Sequence, residues 1–209
     1  MQITWHGQYT IKVTAKDATL VLDPYAPTVG LSPFRSKGDI VSLTNPGDPS
    51  MSQVAAIQGE PTIVNTPGEY SFRGLTLHAH PWMAEDGSER SLQLWQIENM
   101  TLLHVGALNR ELLDKELQGV EQANIDILIV PVGGGSGLTT KQAISLTTTI
   151  EPRIVIPIHY KIPKLKESLE PVDQFAKEMG VSPAKKEGKL TLKANKLPQE
   201  DMITVVLTP

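Results

Sequence analysis

Cysteine is absent from the 209 residues. That excludes a disulfide framework, a thiolate metal site and a cysteine nucleophile. It suits a reducing compartment, and a cytoplasmic location is the expectation. No apolar run approaches the ~20 residues that cross a bilayer, so no membrane attachment is expected. The opening Met1-Gln2-Ile3-Thr4-Trp5-His6 reads as a strand start, without the basic stretch and apolar run of a signal peptide. There is no internal repeat, low-complexity segment or linker, so 1–209 is expected to be a single domain.

What is present is an ordinary globular composition, 40% hydrophobic and 20% charged, with a net charge of −4. The charge is uneven. Residues 153–196 hold 10 basic and 5 acidic side chains, while the remaining 165 hold 9 and 18. A basic end can attract phosphate or nucleic acid. Only Tyr160 and Phe175 interrupt it, too few for base stacking, so a solvated lysine-rich surface is the plainer reading. RNA binding is the weakest function considered for so acidic a chain.

Short apolar segments alternate with turn residues up to position 105. Strands are expected at 1–4, 9–14, 19–22, 39–43, 62–65, 75–80, 92–98 and 100–105. The period then changes. Asn109 is a plausible cap for a helix carrying Leu112, Leu113, Leu117 and Val120. Ile125–Val132 and Arg153–Ile158 are apolar enough to be strands covered on both faces. Between them Thr139 or Thr140 caps a helix that ends at Glu151-Pro152. An amphipathic helix is expected over 165–179, interrupted by Pro171, and short strands over 190–194 and 202–207. Two sheets packed face to face with helices outside would satisfy this order.

Several segments resemble one family. These are Leu22-Asp23-Pro24, Thr66-Pro67-Gly68-Glu69-Tyr70, His104-Val105-Gly106, Asp126 through Gly134, and Glu151-Pro152 through His159-Tyr160. Together they resemble the metallo-β-lactamase superfamily, in particular the small metal-dependent hydrolases related to ascorbate-6-phosphate lactonase. The resemblance spans the chain and implies an α/β fold, the αββα sandwich.

It also implies a ligand set that this chain has replaced. Residues 41–50 read Val-Ser-Leu-Thr-Asn-Pro-Gly-Asp-Pro-Ser, where the family carries Thr/Ser-His-x-His-x-Asp-His. Asn45, Gly47, Pro49 and Ser50 fall on those four ligands. Gln8 replaces the histidine of an opening Gly-His, Ala84 another histidine and Ala107 the bridging aspartate. Only His159 matches a family ligand. Zinc is held by imidazole, thiolate or carboxylate, and no metal or other cofactor is expected.

Three functions are weighed. The first is a non-catalytic binding or scaffolding protein, for an unidentified small molecule or protein partner, in the remains of the site. The second is a hydrolase of a lactone or phosphorylated substrate with a rebuilt site, in which His104, His159, Glu69, Asp23 and Asp48 supply zinc or manganese ligands or acid–base groups. The third is the RNA binder set aside above. His78 and His80, at i and i+2 of one strand, share a face but have no third ligand in range. Gly133-Gly134-Gly135-Ser136-Gly137 before a helix is a secondary candidate for phosphate. Ser136 and Ser50 lack a Gly-x-Ser-x-Gly signature, which argues against a serine hydrolase.

Overall fold

Alternating burial along the first strands and continuous burial along the later ones specify two different sheet environments. The structure, a computed structural model, describes residues 1–180 and 186–209. The first sheet runs β15 (Leu190–Thr191), β1 (Gln2–Trp5), β2 (Ile11–Thr14), β3 (Thr19–Leu22), β5 (Ile40–Ser42), β7 (Thr62–Val64). The second runs β16 (Ile203–Thr204), β13 (Ile154–Ile158), β12 (Ile127–Pro131), β11 (Met100–His104), β10 (Glu89–Ile97), β9 (Leu75–Met83), β8 (Gly68–Phe72). Two small parallel pairs complete the strands, β4 (Ser36–Lys37) with β6 (Ile57–Gln58) and β14 (Lys186–Glu187) with β17 (Val206–Leu207).

Ile3, Trp5, Ile11, Val13 and Leu20 of the first sheet share one core with Leu77, Leu92, Trp95 and Leu102 of the second. Strands β8 to β11 form an antiparallel meander, and β11, β12, β13 and β16 are parallel. Every residue of β12 and β13 is buried, as parallel strands covered on both faces should be. Three helices serve this sheet: α1 (Asp114–Glu121) contacts β9, α2 (Thr140–Ile150) contacts β12, and α3 (Val172–Glu178) packs on α2. The outer face of the first sheet is covered differently. Tyr25, Phe34 and Ile57 close over Val21 and Val41, from a loop whose only helical turns are 3-10, Pro27–Val29 and Val54–Ala56.

Most strands and α2 follow the sequence reading, with Thr139 accepting the Gln142 N–H as N-cap; β4, β6, β8 and β14 fall outside that reading, and 202–207 divides into β16 and β17. Two helices start later than expected. α1 begins at Asp114, where the Glu116 carboxylate takes the Leu113 N–H at 2.8 Å. α3 begins only after Pro171. Proline cannot continue a helix in its interior but is at home at its start, so 165–170 is loop. That difference matters, because the loop crosses the site.

Candidate active site

The replaced positions converge. Gln8, Asn45, Ser50 and Ala107 line one cleft of about 320 Å³, together with Tyr9, Asp48, Arg90, Asn109, Ser136, Lys166 and Glu167. Gly47 and Pro49 are exposed in the turn beside it, and Ala84 is buried in the core.

The 45–50 turn is held by the chain itself. Asp48 Oδ1 accepts the Ser50 N–H at 2.8 Å, and the Asp48 carbonyl accepts the Ser52 hydroxyl at 2.8 Å. Ser50 in turn accepts the Ala26 N–H at 2.8 Å. Asp48 reaches the cleft but is already committed to closing its own turn.

Asp23 and His104 lie beneath, both with 0% exposed surface. Asp23 sits at φ +44°, a left-handed conformation that Asp tolerates better than most residues. Its Oδ1 accepts the Thr44 N–H at 2.7 Å and its Oδ2 the Thr44 hydroxyl at 2.8 Å. His104 Nε2 approaches the same Oδ2 at 2.8 Å. Neither residue lines the cleft. They join β3, the start of the 45–50 turn and the end of β11 as a buried polar rivet. Gly106 closes over it, since a Cβ there would collide with the Thr44 side chain.

His159 is also fully buried, at φ +49° just past β13. Its Nδ1 is 2.7 Å from Gln8 Oε1 and its Nε2 is 3.4 Å from Ser136 Oγ. Tyr9 stacks on the imidazole with ring centroids 4.2 Å apart and places its hydroxyl 3.1 Å from Ser136 Oγ. Glu167, from the loop before α3, is 3.6 Å from His159 Nε2. It accepts the Ser136 N–H at 2.6 Å and the Gln8 side-chain N–H at 3.4 Å. Burial alone would push this carboxyl up, but His159 and Ser136 outweigh it and hold Glu167 down at about 2. Burial pushes the Tyr9 hydroxyl well above the ordinary phenol range, so it stays protonated.

Arg90 is nearly buried. It donates to the Ala107 carbonyl at 2.9 Å, the Ser88 hydroxyl at 3.1 Å and Asp86 at 3.0 Å. Its guanidinium lies 5.5 Å from the Trp82 ring centroid, with Arg110 at 5.2 Å. Lys166 brings a second positive charge to the cleft.

Four expectations change here. Glu69 is not in the cleft: it lies on the edge strand β8, its side chain 80% exposed and 3.4 Å from His78. Asp23 and His104 are brought together, but sealed from the cleft. Asp48 lines the cleft but gives one carboxylate oxygen to its own turn. The glycine-rich turn is no phosphate cradle, because four of its N–H groups are used internally: Gly133 on His159, Gly134 on Leu138, Ser136 on Glu167, Gly137 on Gly134. The sequence reading did not single out Tyr9, Lys166 or Glu167. The only signal for the last two was Pro171, which should have ended the helix expected over them.

The residues do not fit the divalent ion that the superfamily fold implies. Gln8, Asn45 and Ser50 offer neutral oxygens or amides, and Gly47, Pro49, Ala84 and Ala107 offer no side-chain donor. Among the described residues no group of three or more His, Cys, Asp or Glu is placed to hold a metal ion. No helix among them is long and apolar enough to cross a membrane.

Comparison with known proteins supplies the family. The model of the β-lactamase superfamily domain matches residues 2–159, and the chain belongs to that superfamily. A protein of Lysinibacillus sphaericus named a UPF0173 metal-dependent hydrolase is 23% identical over 195 residues, covering 77% of this chain and 85% of its own. A UPF0173 protein of Pyrococcus abyssi is 23% identical over 181 residues, covering 77% and 83%. In structure, a candidate zinc-dependent hydrolase of the metallo-β-lactamase superfamily from Thermotoga maritima superposes with a TM-score of 0.80 at 24% identity, covering 99% of this chain and 98% of its own. The fold read from the sequence is therefore the observed one. The expectation of a non-catalytic binding or scaffolding protein is corrected: a relative named as a metal-dependent hydrolase points to hydrolysis.

Proposed function

We propose that this β-lactamase superfamily member, a single domain over 1–209, is a hydrolase of small anionic lactones or esters that works in the Gln8–Asn45–Ser136–Glu167 cleft with a rebuilt site. A cytoplasmic setting accords with the lack of cysteine. The observation that carries the reading is the ordered polar chain Gln8–His159–Ser136–Tyr9, set where the resemblance puts the family's chemistry. An abandoned site gains nothing from orienting a buried imidazole by three neighbours, since each ordered polar group costs desolvation.

The roles follow from the geometry. Lys166 supplies a positive charge for an anionic substituent, and Asn45 and Asn109 supply amide donors. Arg90 is anchored too firmly to move, so it contributes a fixed positive field. His159 handles the proton. Its Nδ1–H is held by Gln8, which leaves Nε2 as the basic nitrogen. Glu167, ionised beside it, meets the positive charge that appears on the ring.

The test is turnover by the full chain of lactones, p-nitrophenyl esters and p-nitrophenyl phosphate, before and after exhaustive chelation. Hydrolysis that falls by about 10² or more in H159Q, and is unchanged in H78Q, is the expected result. Activity that survives H159Q would show that the cleft is not the site.

A further inference from the structure

The proton-handling group has no direct path to water. His159 is fully buried and does not line the cleft. The hydroxyl that stands between its Nε2 and the cleft is Ser136, exposed at the turn before α2 and part of the cleft wall. Resting on the hydrolase reading above, we infer that Ser136 is the nucleophile of a covalent lactone or ester hydrolase, with His159 as its base and Gln8 as the residue that sets the imidazole tautomer.

Hydrogen-bond direction makes the assignment. An ionised Glu167 can only accept, so the Gln8 amide nitrogen faces it, at 3.4 Å. The Gln8 oxygen therefore faces His159 Nδ1, at 2.7 Å. Nδ1 therefore carries a proton, so in the neutral ring it is Nε2, 3.4 Å from Ser136 Oγ and 3.6 Å from Glu167, that can take the serine's. The Tyr9 hydroxyl is 3.1 Å from Ser136 Oγ, where either oxygen can donate; with Tyr9 donating, the serine's own proton is left for His159. Nucleophile, base and orienting group thus stand in the order found in serine hydrolases, without their sequence motif. Gly137 permits the approach: a Cβ there would press to 3.0 Å on both His159 Cδ2 and Pro131 Cβ.

The chemistry balances within the chain, the substrate and water. Ser136 Oγ attacks the carbonyl carbon, and its proton passes to His159 Nε2. The bond between the carbonyl carbon and the alkoxy oxygen of the ester or lactone breaks, the C=O re-forms, and the leaving alkoxide takes that proton. Ser136 now carries the acyl group. Water then gives a proton to Nε2, its hydroxide adds to the acyl carbon, and Ser136 leaves with the proton returned. A lactone yields its hydroxy acid, an ester its acid and alcohol. Through both stages the transient imidazolium lies 3.6 Å from Glu167.

An alkyl fluorophosphonate tests this, since it bonds to an activated serine with loss of fluoride and needs no knowledge of the substrate. The full-length protein is expected to gain one phosphonyl group, mapped to Ser136. S136A is expected to gain none, to keep its melting temperature, and to lose about 10² or more of any p-nitrophenyl acetate hydrolysis. Ser136→Cys is a second readout: beside a histidine base its thiol should alkylate with iodoacetamide about 10-fold faster than that of Ser50→Cys in the same cleft. Hydrolysis that persists in S136A, with the adduct absent or elsewhere, overturns the serine assignment and leaves the hydrolase reading standing. An adduct at Ser136 with no turnover of any ester, lactone or phosphate supports an activated serine and overturns the hydrolase reading. Neither adduct nor turnover overturns both. Equal alkylation of the two cysteine variants also counts against the serine.

Discussion

His159 Nδ1 and Gln8 Oε1 lie 2.7 Å apart across 151 residues of chain. The bond ties the turn after β1 to the end of β13, and it decides which imidazole nitrogen is basic. Gln8→Leu keeps the approximate volume and removes the acceptor. The buried Nδ1–H is then unpaired, a loss of about 1–3 kcal/mol, and the ring is free to move its proton to Nε2. In the native protein the imidazole ¹⁵N shifts of His159 in its neutral form should show Nδ1 protonated and Nε2 bare. In Q8L they should shift toward a mixture of tautomers, and esterase activity should fall with them. Unchanged shifts would mean Gln8 does not set the tautomer.

The Asp23–His104 pair is a folding element, so its variants should report in stability. Asp23→Ala strands the Thr44 N–H and hydroxyl and the His104 ring in a fully buried pocket. Each buried donor left without its acceptor costs about 1–3 kcal/mol, expected as a shift in urea midpoint without a change in slope. Gly106→Ala should also destabilise, because its φ of +55° is strained for alanine and its methyl would meet Thr44. A loss under about 1 kcal/mol for D23A, the size of an ordinary surface change, would sink this account.

Acid stability should depend on Glu116. Its side chain is 7% exposed and lies 2.8 Å from Arg110, and that hydrogen-bonded guanidinium holds its carboxyl below the ordinary 4.5. A depressed folded-state pKa contributes stability above the unfolded value and loses it as pH falls through the folded one. The native melting temperature should therefore drop more steeply than that of E116Q as pH falls below the ordinary 4.5. Parallel curves would show that the pair contributes nothing.

How much of this was legible depended on the range of each contact. β12 and β13 were readable because five consecutive buried residues in each leave an apolar run, and Thr139 announced α2 by local capping chemistry. β8 was not, because Gly68–Phe72 is a mostly exposed edge strand that no alternation marks. The resemblance located Gln8, Asn45, Ser50 and Ala107, and the structure gathers those four. The sequence shows Ser136 only in the glycine-rich turn and as a serine without a hydrolase signature, while Tyr9 and Glu167 stayed hidden for a physical reason. Tyr9 meets Ser136 across 127 residues and Gln8 meets Glu167 across 159, so no sequence window contains the pair. Glu167 was further obscured by a helical pattern that Pro171 overrides.

Chelation should leave the fold untouched. In metal-binding relatives an ion's binding energy contributes to folding. Here Asp48 closes the 45–50 turn by bonds to Ser50 and Ser52, while Asp23 and His104 anchor its first residue through Thr44. Pro46 and Pro49 stiffen the unfolded chain, worth about 0.4–1 kcal/mol each where the geometry fits. EDTA should therefore not move the melting temperature. Rebuilding the family pattern with Asn45→His, Gly47→His, Pro49→Asp and Ser50→His should lower it in metal-free buffer. Asn45 is 6% exposed, so an imidazole there must find room and partners, and a buried polar group without one costs about 1–3 kcal/mol. The same variant should recover part of that loss with added zinc, because its new donors are the kind zinc binds. A fall of several degrees on adding EDTA to the native protein would show that an ion, and not Asp48 and the Asp23–His104 pair, holds these loops.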